Sequence, residues 1–349
     1  ELVQEAHKRG MKIVMDAVFN HTGREFFAFE DIMEKGEKSK YLDWYYIEKF
    51  PLESERGEIP NYKCFGYYGG MPKLNLKNPE VEKFFTDVAC YWIKECDIDG
   101  WRMDVGDEIS HYFWKNFRRA VKAVKKDMLI IGEIWHYAGD FLEGDEWDTV
   151  MNYPFYLNLI DLLADEKINV SQFIQNLGYL KGRLNKKCYP LMWNLIDSHD
   201  TARFLHLCKD NKKKQHLAAA FQLLLPGMPM IYYGDEFAMP GANDPDCRRG
   251  MYWDEEYQDK EMFEWYKQLL KVRKNHACIV EGEPMEIAAR DEEETIVLTR
   301  KNGEETLALI FNCSSSARMF NEYAQKYDLL RENPFDGKIE GLDAAVIVL

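Results

Sequence analysis

Short apolar runs alternate with amphipathic stretches over most of the chain. The runs are typical of strands buried on both faces, as in parallel sheets, and the stretches between them have a helical period. This alternation predicts a repeated β/α architecture, either a barrel or a doubly wound sheet. Six strands are predicted, at Met11–Phe19, Ile98–Asp104, Met128–Glu133, Asp148–Tyr153, Leu191–Asp197 and Met228–Tyr233. The predicted helices cover 79–96, 110–126, 155–185 (as two helices), 211–225 and 258–276.

Two segments interrupt the alternation. Residues 22–76 have no clear period and are rich in Gly, Pro, Tyr and Lys, so they are interpreted as an inserted small domain. Residues 278–349 carry short alternating runs, which predict a C-terminal antiparallel β domain. The β/α region is therefore placed at 1–277.

The first ten residues have the pattern of the last part of an amphipathic helix that ends at Gly10. They contain no N-cap and no signal peptide. The expectation is that the chain begins inside an element and that part of the parent protein precedes it.

Composition excludes several classes of protein. The 349 residues are 46% hydrophobic and 30% charged, which is ordinary for a globular chain, and no run of 18 apolar residues occurs. The net charge of −15 disfavours nucleic acid and membrane surfaces as partners. The eight cysteines show no CxxC or CxxH spacing, so they are interpreted as free thiols of a cytoplasmic protein rather than zinc ligands.

Charged and imidazole side chains stand at the ends of the predicted strands. In a parallel barrel the carboxyl ends of the strands share one face, where catalytic residues lie. Five of these residues also have a structural interpretation: Asp16 could brace the barrel, Arg102 and Asp104 could form an internal ion pair, and His199 with Asp200 could cap a loop. Their joint placement favours a site. The residues in these positions are Asp16, His21, Arg102, Asp104, Glu133, His199 and Asp200.

The sequence offers carboxylates but no grouping of metal ligands and no glycine-rich phosphate loop. This combination indicates acid–base and nucleophilic catalysis on a neutral substrate. Glycoside hydrolysis needs one ionised carboxylate and one protonated carboxylic acid. Arg102 is expected to lower the pKa of Asp104 and keep it ionised. An apolar setting beside Trp135 is expected to raise the pKa of Glu133 and keep its proton.

Around these residues the sequence resembles the α-amylase family of glycoside hydrolases. Four segments of this chain resemble the four core motifs of that family. They are DAVFNH at 16–21, GWRMDVGDE at 100–108, GEIW at 132–135 and NLIDSHD at 194–200. MPKLN at 71–75, GMPMIYYGDE at 227–236 and NDPDCRR at 243–249 resemble the neopullulanase, cyclomaltodextrinase and maltogenic-amylase branch. The resemblance implies a (β/α)8 TIM barrel in the α/β class, with an inserted small domain and a C-terminal antiparallel β-sandwich.

The resemblance also implies a role for each matching residue. Asp104 matches the nucleophile, Glu133 the general acid/base, and Asp200 the third carboxylate, which binds sugar hydroxyls. Arg102 would orient the nucleophile, and Asp16 would support it. Residues expected to bind substrate are His21 and His199 at the cleaved sugar, Trp135 on the leaving-group side, Glu108 near the acceptor, and Asp244 with Arg248 at the next sugar.

The resemblance implies that the first two barrel strands and an N-terminal β domain precede this chain in its parent. The expected activity is retaining hydrolysis of α-1,4 and also α-1,6 glucosidic bonds in cyclodextrins, pullulan, maltooligosaccharides or starch, with transglycosylation left open. No cofactor is expected; a structural calcium ion is compatible with the sequence but not predicted. A homodimer of the longer parent also stays open.

Three alternatives remain. The first is an α-glucosidase or oligo-1,6-glucosidase of the same family, which MPKLN and the pair Ile134-Trp135 oppose. The second is an inactive glucan-binding fragment. The third is a metal-dependent barrel hydrolase that uses Asp16, His21, His199 and Glu133.

Overall fold

The computed structural model describes residues 1–53 and 60–349. The chain divides into two compact units. The first unit contains Glu1–Ile134 and Ala138–Met151, and the second contains Trp135–Tyr137 and Asn152–Leu349.

A parallel sheet forms the centre of the first unit. Its four strands lie side by side in chain order, and β1 pairs with β2, β2 with β3 and β3 with β4. Crossover segments connect them, as parallel pairing requires: α-helices between β1 and β2 and between β2 and β3, and a 3₁₀ turn at Gly139–Phe141 between β3 and β4. The elements are α1 (Leu2–Lys8), β1 (Val14–Ala17), α2 (Phe27–Lys35), α3 (Pro79–Cys96), β2 (Gly100–Met103), α4 (His111–Val124), β3 (Leu129–Gly132) and β4 (Thr149–Val150).

Side-chain caps fix where the long helices of this unit begin. Asn78 accepts a hydrogen bond from the backbone N–H of Glu80, and Pro79 occupies the first turn of α3. Ser110 caps α4 in the same way, through the N–H of Phe113. The caps place both helices within two residues of the predicted bounds.

The segment predicted as an inserted domain holds α2 and short antiparallel bridges. Phe29 of α2 packs its ring 5.0 Å from the rings of both Tyr45 and Tyr62. Isolated bridges join Tyr45 to Leu74 and Ile47 to Tyr62. Residues 54–59 of this segment lie outside the described residues. The domain boundaries given above remain predictions.

The second unit continues the alternation of helices and parallel strands. β5 pairs with β6 in parallel, and Asn169 begins α6 with a capping box in which Gln172 reciprocates. The elements are α5 (Tyr153–Leu159), a π-helical turn at Ile160–Ala164, α6 (Val170–Arg183), β5 (Trp193–Asn194), α7 (Phe204–Leu207), α8 (Lys212–Leu224), β6 (Met228–Pro229), α9 (Lys260–Asn275) and α10 (Cys278–Glu281).

An antiparallel sheet ends the chain, as the alternating pattern predicts. Its six strands have the order β12-β11-β14-β9-β8-β7. Ile296 and Leu298 face the core shared with α8, whereas Val297 faces the opposite core with Ile310. The strands are β7 (Glu283–Arg290), β8 (Thr295–Asn302), β9 (Glu305–Asn312), β11 (Tyr327–Asp328), β12 (Asn333–Pro334) and β14 (Asp343–Val348), while β10 (Arg318–Met319) pairs with β13 (Lys338–Ile339).

Several details of the predicted strands are wrong. The strand predicted at Leu191–Asp197 covers only Trp193–Asn194, and the strand predicted at Met228–Tyr233 covers only Met228–Pro229. Tyr153 belongs to α5 rather than to the fourth strand, because Asn152 caps a helix that begins there, with Pro154 in its first turn. The first strand is not buried on both faces: Val14 and Met15 are half-buried and Asp16 is exposed. β1 is the edge of its sheet, which explains the exposure.

Candidate active site

The ends of adjacent parallel strands place the candidate carboxylates side by side in the first unit. Asp16 in β1 is in register with Arg102 in β2. Asp104 directly follows β2 and Glu133 directly follows β3, and the last residues of these strands, Met103 and Gly132, are themselves in register. The carboxyl ends of parallel strands lie at one edge, so Asp104 and Glu133 leave the sheet next to each other.

Arg102 contacts all three of these carboxylates. Its Nη1 atom lies 2.8 Å from Asp16 Oδ1 and 2.7 Å from Asp104 Oδ1, and its Nη2 atom lies 2.5 Å from Glu133 Oε1. Burial alone would lower the pKa of Arg102, but the charges of Glu133, Asp16 and Asp104 outweigh it and raise that pKa. The guanidinium therefore stays charged and fixes the three side chains relative to each other.

The sequence predicts a buried and apolar setting for Glu133, and only the burial is right. Its side chain is buried, with 4% of its surface exposed. However, the setting is polar: besides Arg102, the backbone N–H of Val105 donates to Glu133 Oε2 at 3.1 Å. Arg102, expected to act on Asp104, is shared between both carboxylates. The correction arises because β2 lies between β1 and β3, so its side chain reaches both neighbours.

Val105 makes this contact from an unusual backbone conformation. Its φ is 46° and its ψ is 44°, which is the left-handed region. A β-branched residue rarely adopts this region, and such residues concentrate at functional sites. The turn directs the Val105 N–H toward Glu133 immediately after Asp104.

Trp147 packs against the glycines beside the two candidate carboxylates. A Cβ atom on Gly132 would lie 2.2 Å from the indole ring of Trp147, and one on Gly106 would lie 2.6 Å from it. The indole stacks on Phe141 with a centroid distance of 4.2 Å. Close contact with this ring therefore requires glycine at both positions, which fixes the backbone on either side of the carboxylates.

The second group in the first unit surrounds His21 and Glu108. Lys73, in the MPKLN motif, donates to Glu108 Oε2 at 2.5 Å and to Asn20 Oδ1 at 2.8 Å. His21 is buried, stacks on Phe65, and bridges Lys73 through the backbone. Burial lowers the pKa of His21, partly offset by the charges of Asp104 and Glu108. His21 is therefore neutral at pH 7 and able to bind hydroxyl groups.

The remaining predicted carboxylate, Asp200, belongs to the second unit. Arg248 Nη2 lies 3.0 Å from Asp200 Oδ1, while Arg248 Nε lies 2.7 Å from Asp244 Oδ1. His199 Nε2 lies 3.2 Å from Asp200 Oδ2. The structure thus brings together the four residues of this unit that were predicted to bind sugar hydroxyls. All four are about one third exposed or more.

A buried network anchors the loop that carries His199 and Asp200. Asp197 accepts a hydrogen bond from the Phe204 N–H at 2.8 Å, and its carboxyl group is close enough to that of Asp235 for each to influence the pKa of the other. Arg203, 1% exposed, lies 3.1 Å from Asp235 Oδ1. Arg203 also donates to the carbonyl of Cys247, next to Arg248, at 3.2 Å. Arg203 therefore contacts Asp235, which neighbours the loop of His199 and Asp200, and also the residue before Arg248.

Trp135 presents an aromatic face. Its ring stacks on Tyr153 with a centroid distance of 3.9 Å and an interplanar angle of 14°. Tyr153 is fully buried and its hydroxyl lies 3.1 Å from Ser198 Oγ, whereas 40% of the Trp135 surface is exposed. One face of the indole is thus fixed against the protein, and the other is available to a ligand.

Within residues 1–53 and 60–349, no group of three or more His, Cys, Asp and Glu side chains is placed to hold a metal ion. In the same described ranges, no helix has the length and apolar character needed to cross a membrane.

Several residues of the site were not predicted from the sequence. Lys73 lies in the MPKLN motif between Pro72 and Leu74, and a charged residue between these two apolar neighbours was the available signal. Trp147, Val105 and Arg203 carry no signal of this kind, because their importance rests on a steric contact, a backbone angle and a buried ion pair.

Comparison with known proteins identifies relatives. A family model described as the α-amylase catalytic domain matches residues 1–258. A cyclomaltodextrinase of Geobacillus thermopakistaniensis (strain MAS1) is 45% identical over 316 residues, which are 90% of this chain and 53% of that protein. Neopullulanase 2 of Thermoactinomyces vulgaris is 47% identical over 282 residues, which are 80% of this chain and 48% of that protein.

Solved structures agree with these relatives. A structure of a cyclomaltodextrinase superposes with a TM-score of 0.94 at 37% identity, covering 99% of this chain and 62% of the other. The chain spans about half the length of the two relatives named above. The fold predicted from the sequence, a barrel of the TIM type with a C-terminal antiparallel domain, is confirmed. The chain belongs to the α-amylase family, whose catalytic domain it carries.

Proposed function

We propose that this chain supplies the catalytic residues of a retaining α-glucan hydrolase. The substrates are cyclodextrins, pullulan, maltooligosaccharides or starch, and the bonds cleaved are α-1,4, with α-1,6 cleavage and transglycosylation as further activities. The observation that carries the proposal is the contact of one guanidinium, Arg102, with both Asp104 and Glu133. The names of the relatives, cyclomaltodextrinase and neopullulanase, support the substrate class.

The proposed reaction has two steps. Glu133 gives its proton to the glycosidic oxygen while a carboxylate oxygen of Asp104 forms a bond to the anomeric carbon, and the leaving group departs as an alcohol. Glu133, now a carboxylate, then takes a proton from water as the water oxygen displaces Asp104. Two displacements return the α configuration.

Arg102 contacts both carboxylates that this reaction uses. Its single guanidinium contacts Asp104 and Glu133 together, so the nucleophile and the acid are held side by side while Asp16 holds the guanidinium itself. In this proposal Glu133 carries a proton before the first step. Asp16 anchors Arg102 through a contact of 2.8 Å and is placed with the substrate-binding residues.

The remaining side chains bind sugar hydroxyls. We assign the cleaved glucose to His21, His199 and Asp200, and the next glucose toward the non-reducing end to Asp244 and Arg248. Glu108 and Trp135 are assigned to the acceptor side. Imidazole and carboxylate groups recognise hydroxyl groups by hydrogen bonding, which does not require a charged substrate.

An α-glucosidase or oligo-1,6-glucosidase remains the second candidate. The pairing of Lys73 with Glu108 argues against it, since it belongs to the MPKLN segment characteristic of the branch described above. An inactive glucan-binding protein is the third candidate. The two contacts of Glu133 with donors argue for a carboxyl group positioned for chemistry.

We further propose that the reaction needs no cofactor and that α-glucan is the partner, rather than nucleic acid or a membrane. Cytoplasmic location is proposed on the basis of the eight free cysteines, which suit a reducing compartment. A chelator should leave the activity unchanged, and light scattering would show whether a homodimer forms.

Product analysis tests the proposed function. The chain and an Asp104→Asn control are incubated separately with β-cyclodextrin, pullulan, starch and isomaltose, and the products are separated by chromatography. Maltose or panose from the first three substrates, absent from the control, supports the proposal. Release of glucose from isomaltose alone would favour the oligo-1,6-glucosidase, and no product from any substrate would favour the binding protein.

A further inference from the structure

Two separate chain segments carry the side chains assigned to sugar hydroxyls in the second unit. His199 and Asp200 belong to one segment, and Arg248 lies 48 residues after Asp200 in the other. The ion pair of Arg248 with Asp200 joins the segments, but its side chains are 45% and 35% exposed. Ion pairs with this exposure contribute little to stability. The relative position of the two segments must therefore depend on buried contacts beneath this pair.

Cys247 makes such a contact. Its side chain is fully buried, and its thiol donates a hydrogen bond to the carbonyl oxygen of His199 at 3.2 Å. Cys247 directly precedes Arg248, just as His199 directly precedes Asp200. The hydrogen bond therefore joins the two segments one residue before each partner of the exposed ion pair.

We propose that Cys247 is a positioning residue of the sugar-binding group: its thiol holds His199 and Asp200 in place beside Arg248. The inference rests on the proposed function for the identity of the ligand. It goes beyond that function by naming a residue that is buried and acts through the backbone of His199, rather than by touching the sugar.

Neighbouring groups fix the backbone of Cys247. Its carbonyl oxygen accepts hydrogen bonds from Arg203 Nε at 3.2 Å and from the Tyr232 hydroxyl at 3.4 Å. The chain also passes close to Gly241, where an added Cβ atom would lie 2.9 Å from the Cα atom of Cys247. Glycine at position 241 permits this approach. Because the backbone of Cys247 is held on these sides, its thiol has a defined direction.

The thiol of Cys247 has the protonation state that a donor needs. Burial raises the pKa of this thiol, and the charge of Asp244 adds to the increase. The thiol therefore keeps its proton at neutral pH and can donate it to the carbonyl oxygen. Burial also opposes a role as nucleophile, since reactive cysteines are accessible thiolates.

The alternative is that Cys247 only fills space, as buried cysteines often do. Two substitutions separate these roles, because Cys247→Ala removes the donor whereas Cys247→Ser keeps a donor on the same Cβ atom. Cys208→Ala is the matched control. Cys208 is also buried and belongs to the second unit, but it packs in the apolar core with Phe204 and Leu217.

Steady-state kinetics on maltotriose compare the three variants. We expect kcat/KM to fall about threefold in Cys247→Ala, toward the lower end of what one hydrogen bond contributes. Cys247→Ser should restore most of this loss, and Cys208→Ala should match the wild type. Thermal unfolding of each variant establishes that it is folded at the assay temperature. Wild-type kcat/KM in Cys247→Ala, or equal losses in Cys247→Ala and Cys247→Ser, would overturn the proposal.

NMR of the His199 imidazole gives a readout that needs no activity. Spectra are recorded with isotope-labelled histidine, and the signals of His199 are assigned by their loss in His199→Gln. Cys247→Ala should shift these signals, whereas Cys208→Ala should leave them in place; unshifted signals in Cys247→Ala would overturn the proposal. If the wild-type chain hydrolyses no glucan, the proposed function fails, while this comparison still decides whether Cys247 positions His199.

Discussion

The backbone N–H of Val105 donates a hydrogen bond to Glu133 Oε2, and it does so from a left-handed backbone conformation that valine rarely adopts. Val105 directly follows Asp104, so the conformation of one turn links the two candidate catalytic carboxylates. Arg102 contacts both from the side of the sheet. Asp104 and Glu133 are thus positioned by neighbours that donate hydrogen bonds, rather than by apolar packing.

Substitution of the two carboxylates should separate their roles. Asp104→Asn removes the nucleophile and should lower kcat by several orders of magnitude on every substrate, while glucan binding persists. Glu133→Gln should lower kcat similarly on maltotriose but spare an activated aryl α-maltoside, whose leaving group needs no proton. Steady-state kinetics on both substrates check this. Equal losses of Glu133→Gln on the two substrates would contradict the assignment of Glu133 as the acid.

Gly132→Ala should disrupt the site without touching a reacting group. The added methyl would lie 2.2 Å from Trp147, so the indole or the strand must move. We expect the free energy of unfolding to fall by about 1–3 kcal/mol, as for other overpacked cores, and the activity to fall with it because Glu133 is the next residue. Thermal unfolding and activity assays measure both effects.

Gly178→Ala is the control for this substitution. Gly178 lies within α6, and a Cβ atom there would meet nothing within 4 Å. Alanine in a helix is favoured over glycine by up to about 1 kcal/mol, so stability should rise slightly. A Gly132→Ala protein as stable and active as Gly178→Ala would refute the role assigned to Trp147.

Acid should destabilise the first unit through Asp99. Burial alone would raise the pKa of Asp99, but hydrogen bonds from His7, the Ile13 N–H and Lys125 outweigh it and lower the pKa to about 2. A carboxylate with a lowered pKa stabilises the fold above its ordinary pKa of roughly 3.9, and this stability is lost as the pH falls toward 2. Asp99→Asn should therefore lower the free energy of unfolding by about 2 kcal/mol at pH 7 and by much less near pH 2.

Asp97→Asn provides a comparison, because Asp97 lies two residues before Asp99 and contacts the same lysine. Asp97 also contacts Lys125, at 2.8 Å, but 69% of its side chain is exposed. Exposed ion pairs contribute roughly 0–1 kcal/mol, so the change should be small at every pH. Denaturant titrations of both variants at pH 7 and near pH 2 make the comparison. A pH-independent effect of Asp99→Asn would contradict the assigned cause.

Alkaline pH should weaken the buried pair of Asp197 and Asp235. Burial raises the pKa of both carboxyl groups, most strongly that of Asp235, whose pKa the neighbouring Asp197 raises further. The folded pair therefore keeps a proton that the unfolded chain loses above roughly pH 4, so this contribution to stability falls as the pH rises. Asp235→Asn imitates the protonated form and should flatten that decline.

Thermal unfolding between pH 5 and pH 8 measures this effect. Asp235→Asn should change stability at pH 7 by less than about 1 kcal/mol, whereas Asp235→Ala leaves the buried Arg203 without its partner and should cost roughly 3–5 kcal/mol. An unchanged pH dependence in Asp235→Asn would show that the pair holds no shared proton.

The sequence predicts what depends on local pattern. Asn78 and Pro79 determine the start of α3, and the predicted bounds 79–96 agree with the structure. The alternation in β8 assigns Ile296 and Val297 to opposite cores. The carboxylates at the strand ends were also identified, since polar residues that end apolar runs are conspicuous.

Long-range geometry explains what the sequence did not reveal. The contact between Arg102 and Glu133 depends on the order of strands in the sheet, which a linear pattern does not contain. The positive φ of Val105 contradicts the preference of valine and follows from the surrounding structure. Arg203 is 1% exposed although arginine is expected at the surface, because Asp235 lies beside it.

The anomeric configuration of the first product tests the central claim most directly. Maltotriose is added to a high concentration of the protein, and proton NMR spectra are recorded before mutarotation becomes significant. Attack by Asp104 followed by attack of water predicts that the newly formed reducing end appears first as the α anomer. Initial release of the β anomer would contradict the double displacement and with it the assignment of Asp104 as the nucleophile.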